Sequence, residues 1–204
     1  MEDVLELYGE PYNPLYPQVC VDERPCVLHA DKLEPLAMKP GQVARYDYEY
    51  ARKGSCNLFM IFQPLTGWRQ ATVTARRTSS DFADLLRELV DVHFPDALTI
   101  RVVLDNLNTH TFAALYQAFP PEEARRIARK LEFHYTPKHG SWLNMVEIEL
   151  AVLVKQCLKR RIPDMDTLQR EVAAWQNTRN AQRATVKWLF NVTHARTRLA
   201  CFYP

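Results

Sequence analysis

Short apolar runs alternate along the chain with longer stripes at helical spacing, an order that predicts a layered α/β domain with a mixed sheet. Val19-Cys20-Val21 and Val27 to Ala30 read as two strands broken apart by Arg24-Pro25. Tyr46, Tyr48 and Tyr50 alternate with Asp47 and Glu49 and suit a half-exposed strand or loop edge. CNLFMIFQ at 56–63 and Trp68 to Thr74 flank Pro64-Leu65-Thr66-Gly67 as a hairpin would. Ser79 or Ser80 can cap a helix whose inward face is Phe82, Leu85, Leu86, Leu89, Val90 and Val92.

Ile100, Val102, Val103 and Leu104 make a buried central strand stopped by Asp105-Asn106. Helices over about 111–119 and 120–130 follow, then a strand at Leu131 to Thr136. Ser141 reads as the N-cap of a helix continuing to about Arg160, with Leu143, Val146, Leu150, Leu153 and Cys157 as its inward stripe. Met165 to Arg179 forms another helix, and the tail from Thr185 to Pro204 reads as helical first and irregular after. Residues 1–17, with Pro11, Pro14 and Pro17, read as the tail of a helix plus an extended linker with no folded module, leaving 18–204 as one domain with a C-terminal helical extension.

Three carboxylates occupy related places in this pattern. Asp105 ends the central strand and Asp22 follows the first, positions where an open sheet presents ligands from rigid backbone. Asp105 alone is equally well read as an Asx turn or a helix cap. Glu147 lies on the edge of the later helical stripe beside Asn144, whereas Glu149 falls on the opposite edge and cannot reach the same point. Three such groups brought together would repel, and a hard divalent cation removes that penalty.

Charge divides unevenly: residues 1–124 carry 11 Lys/Arg against 18 Asp/Glu, a net −7, and residues 125–204 carry 15 against 6, a net +9. The basic bursts at Arg125 to Lys130 and Lys155 to Arg161 suit a phosphate backbone brought to acidic metal ligands. Arg126, Arg129 and Lys130 are therefore candidate DNA contacts, as are Lys138 and His139 before the Ser141 helix, and Trp142, which can stack on a base or cover the core. Asn106 and Asn144 can orient carboxylates or merely shape turns, and His110 is expected to fix the loop after Asp105. The five cysteines lack CxxC spacing and read as reduced core residues. No apolar run approaches a membrane span and MEDVLELYGE lacks signal-peptide character, so a cytoplasmic location is expected.

VCVDERP at 19–25, VVLDNLNTH at 102–110 and FHYTPKHGSWLNMVEIEL at 133–150 together resemble the catalytic blocks of bacterial DDE-class transposases, specifically the insertion sequence 630 family of the mariner-like superfamily. The resemblance implies a ribonuclease H-like fold, with Asp22, Asp105 and Glu147 as a triad holding two Mg²⁺ or Mn²⁺ ions for DNA strand cleavage and transfer. It further implies transposon-end and target DNA as partners, a homodimer when active, and association with the nucleoid. Only the linker precedes Asp22, so helix-turn-helix modules for end recognition are expected on a separate chain. The other readings are an accessory DNA-binding remnant and a nuclease that only hydrolyses.

Overall fold

The computed structural model describes residues 1–202, so the end of the tail lies outside the described residues. Five strands, β1 (Gln18–Asp31), β2 (Tyr50–Gln63), β3 (Trp68–Thr74), β4 (Ile100–Leu104) and β5 (Leu131–Tyr135), form one mixed sheet ordered β3-β2-β1-β4-β5. β1 and β3 run antiparallel to β2, while β1, β4 and β5 are parallel. The helices are α1 (Glu2–Gly9), α2 (Ser79–Glu88), α3 (Ala113–Ala118), α4 (Pro121–Ala128), α5 (Val146–Leu153), α6 (Met165–Ala181) and α7 (Val192–Arg198).

Period-two alternation divides the core between the two faces of the sheet. Cys20, Leu58, Met60, Phe62 and Val103 pack under α1, α5, α6 and α7. Val19, Val21, Phe59, Ile61, Val102 and Leu104 pack under α2, α3 and α4. A shift of one residue in any central strand would exchange these sets, so the register is strongly specified.

The structure departs from the sequence pattern at several boundaries. β1 is one strand, not two: beyond Cys20 its only strand neighbour among the described residues is β2, and such an edge tolerates Pro25. β2 begins at Tyr50, whose ring packs on His29 at 4.5 Å, while Tyr46 and Tyr48 stand exposed in the connecting loop. α2 is capped by Thr78, not by Ser79 or Ser80, through a capping box with Asp81, and a π-turn at Leu89–His93 rotates Val92 out to solvent. The tail is irregular first and helical after, because Asn191 caps α7.

Residues 1–17 differ most from expectation. α1 buries Val4, Leu5, Leu7 and Tyr8 against the sheet, so this helix belongs to the core, while residues 10–16 after it are exposed. An eight-residue helix is marginal in isolation and exists here through that packing. Gly67 closes the β2–β3 hairpin at φ 70°, with the backbone of Arg183 only 2.5 Å from where a Cβ would stand.

Leu7→Ala should lower the free energy of unfolding by about 2–4 kcal/mol. Urea denaturation measures it, and a change within about 0.5 kcal/mol would return residues 1–17 to the role of linker.

Candidate active site

The parallel pairing of β1 with β4 ends at Cys20 opposite Val103. Carried two residues further, the same register sets Asp22 alongside Asp105, on the face to which Cys20 and Val103 point. α5 covers that face and brings Glu147 over the strand ends. Asn144 fixes the approach, because its buried side chain donates to the Val21 carbonyl at 2.9 Å, immediately before Asp22. Tyr8 of α1 adds a second tie by donating to the Leu143 carbonyl at 2.7 Å.

The electrostatics of Asp22 record the convergence. Burial, helped by the carboxylates of Glu23, Glu147 and Asp105, raises its pKa from the ordinary 3.8 to about 7 against the lowering effect of the Glu23 backbone N–H, which donates at 2.7 Å. Glu147 is exposed, so its rotamer is not locked by packing. Among the described residues no three His, Cys, Asp or Glu side chains stand close enough to hold one ion as drawn. The donor set nonetheless fits a hard divalent cation: it is all oxygen, and Asp22 is a largely buried carboxylate with no cationic side chain against it.

Asp105 is held differently. His110 meets its Oδ1 at 2.7 Å and the Leu107 backbone N–H donates to the same oxygen, so the His110 hydrogen bond lowers its pKa and Oδ2 remains free. The buried His110 reaches Glu23 with its other nitrogen at 3.0 Å, and Glu23 pairs with Arg77 at 3.0 Å. Burial lowers the His110 pKa, but the two carboxylates outweigh it and raise it to about 9. An imidazolium thus lies between Asp105 and Glu23 at neutral pH. Its contribution to stability is full below the unfolded value near 6.5 and is lost as pH rises through about 9. The sequence pattern anticipated His110 as a loop-fixing residue but not Glu23 or Arg77, which carry no local signal beyond adjacency to Asp22 and to α2.

The other candidates separate into two groups. Lys138 and His139 are exposed in the turn after β5, at the same end of the sheet as Asp105 because Leu104 pairs with Tyr135. They precede a three-residue 3-10 turn at Ser141–Leu143, not the helix expected there; α5 starts only at Val146, and Ser141 does not cap it. Gly140 closes this turn, where a Cβ would meet the Pro137 ring at 2.6 Å. Trp142 is 48% exposed and stacks on Trp188, with centroids 6.4 Å apart. Asn106 donates to the Thr136 carbonyl at 3.3 Å, so it and Asn144 bind backbone carbonyls and not carboxylates.

Arg126, Arg129 and Lys130 lie in or just after α4, against the opposite face of the sheet from α5. Arg126 is bidentate to Asp91 at 2.7 and 2.8 Å and also pairs with Glu123, and Lys130 donates to the Pro95 carbonyl at 2.6 Å. Arg126 is thus neutralised within the chain and Lys130 is tied to a carbonyl, while Arg129 is exposed, and all three stand on the far side of the sheet from α5.

A family model described as DDE superfamily endonuclease matches residues 17–169. The chain belongs to that family. Its fold is shared with the Mos1 strand transfer complex (TM-score 0.58, 14% identity, 83% of this chain and 50% of that one). It is also shared with the Mos1 mariner paired end complex with Mn (TM-score 0.56, 15% identity, 83% and 51%). The chain spans about half the length of these solved structures, and no curated protein matches it. The sheet is accordingly ribonuclease H-like, as the sequence blocks imply, and its five cysteines are free. Among the described residues no helix is long and apolar enough to cross a membrane.

A buried carboxylate with a raised pKa destabilises the metal-free fold when ionised: the penalty is absent below about pH 4, grows towards pH 7 and is full above it. Asp22→Asn should therefore raise stability at pH 8 by about 2 kcal/mol after allowance for solvent screening, with no gain at pH 4. Urea unfolding in EDTA reads both values; a loss of stability at pH 8 would contradict the burial argument.

Proposed function

We propose that this chain is the catalytic domain of a DNA transposase of the insertion sequence 630 kind, cutting a DNA strand and joining its 3′ end to a target. The observation that carries the reading is the coupling of Asp22 to both Asp105 and Glu147 at the end of the sheet, in a chain that matches the DDE superfamily endonucleases. Asp22 and Asp105 are proposed to share one Mg²⁺ or Mn²⁺ ion, and Asp22 and Glu147 a second. Bound there, the pair would polarise the attacking and leaving oxygens of an in-line phosphoryl transfer.

The protein groups have separate tasks in this reading. His110 holds Asp105 by one oxygen, so the other is presented from a fixed direction. Asn144 and Asn106 act as positioning residues by tying the loops that carry Glu147 and Asp105 to neighbouring strand ends. Lys138 and His139 offer exposed cationic and hydrogen-bonding groups to phosphate beside Asp105, and Trp142 offers a partly exposed indole to a base. The solved relatives, described as strand transfer and paired end complexes, support DNA as partner and an active dimer. A separate helix-turn-helix chain for end recognition and a cytoplasmic, nucleoid-associated location complete the proposal.

Oligonucleotide cleavage with Mn²⁺ tests it directly, using labelled 3′ ends and a target plasmid. Nicked and joined products support the transposase; nicking without joining would leave a hydrolytic nuclease, and DNA binding without nicking an accessory remnant. Asp105→Asn should reduce nicking at least about 10³-fold while leaving DNA affinity equal or higher, since it removes a negative charge. Lys138→Gln should reduce the slope of log affinity against log salt by about 1, and an unchanged slope would move the phosphate path elsewhere.

A further inference from the structure

α5 carries Glu147, yet its apolar residues do not fix its rotation. Val146, Leu150 and Leu153 are buried, but Ile148 and Ala151 stand on the exposed side and Val152 is half-buried. A turn of about 100°, one residue's worth, would bury a comparable apolar set. Asn144 and Tyr8 tie down the segment before α5, but no side chain caps the helix N-terminus and its C-terminal end passes into a π-turn at Val154–Leu158, so the ends add little to fix its rotation.

Glu149 supplies what the apolar residues lack. Its side chain is 1% exposed and meets Arg69 of β3, itself 0% exposed, at 3.0 Å, and Arg179 of α6 at 2.6 Å. Arg69 is clamped in turn, donating to the Ala184 carbonyl at 2.6 Å and approaching Asn180 Oδ1 at 3.4 Å, while Asn180 bridges both backbone groups of Arg69. A buried ion pair is a poor source of net stability compared with apolar groups of like volume, but it accepts one arrangement and rejects others. Glu149 lies about 200° round the helix from Glu147, so fixing the one inward fixes the other towards Asp22.

We infer that the Arg69–Glu149–Arg179 cluster is a rotational lock on α5, making Glu149 a positioning residue for Glu147. The inference rests on the triad reading of Asp22, Asp105 and Glu147. Rotation of α5 by one residue would carry Glu147 away from the sheet end and expose a charge that now has two partners.

The test uses Glu149→Gln and the apolar double replacement R69M/E149L, the second chosen because replacing a buried pair by packed apolar groups preserves stability, while Arg179, 18% exposed, can turn its charge to solvent. R69M/E149L should melt within a few degrees of the wild type yet bind Mn²⁺ at least fivefold more weakly in the absence of DNA. Its amides over Val146–Leu153 should exchange about tenfold faster while those of β1 and β4 do not change. Glu149→Gln should show the same metal defect with a lowered melting temperature, and Arg179→Lys, which keeps the charge, should retain most of the wild-type affinity. Wild-type Mn²⁺ affinity and exchange in the folded double variant would overturn the lock. A wild-type chain that takes up no Mn²⁺ would sink the triad reading instead, and the exchange measurement would then decide the lock alone.

Discussion

Mutual repulsion among carboxylates is the constraint on which this structure depends. Asp22 is largely buried and lies in the fields of Glu23, Glu147 and Asp105, an arrangement that destabilises the fold unless the surrounding chain enforces it. The enforcement is distributed: β1 and β4 are parallel neighbours with fixed register, His110 spreads positive charge between Asp105 and Glu23, and Asn144 joins the segment before α5 to the strand carrying Asp22. Together these devices leave one oxygen each of Asp22 and Asp105 with no hydrogen bond among the described residues.

The two faces of the sheet divide this labour. The face under α2, α3 and α4 provides cohesion, and His110 packs on its Phe82 at 4.6 Å. The face under α1, α5, α6 and α7 contains the same kind of core but also the buried polar ties, Tyr8 to Leu143 and Arg69 to Glu149. Apolar contacts set how closely the layers approach, and the polar ties set their angular relation, which apolar surface specifies poorly.

Alternation made the strands legible in the sequence, because Val102, Val103 and Leu104 or Leu58 to Phe62 have few other uses, and the blocks around Asp22, Asp105 and Glu147 marked the family. The helical stripe also correctly set Glu147 and Glu149 on different sides. What the sequence concealed depends on distant partners. The pairing of Arg69, Glu149 and Arg179 has no local signal, and Arg69 and Asn180, which clamps it, are 111 residues apart. Arg126 looked available because its acceptor Asp91 lies 35 residues earlier. The docking of α1 was hidden for the same reason: its Tyr8 finds Leu143 across 135 residues, and no local rule separates a short docked helix from a tether.

That last separation bears on when the site can exist at all. Tyr8 grips the backbone just before α5, and Glu149 waits for Arg179, so contacts spanning nearly the whole chain must close before the acids acquire their geometry. Such topology favours slow, late closure over local nucleation. A nascent polypeptide still threading the ribosome beyond its first four strands would hold the two aspartates without α5, so the proposed triad stays incomplete until synthesis is almost finished.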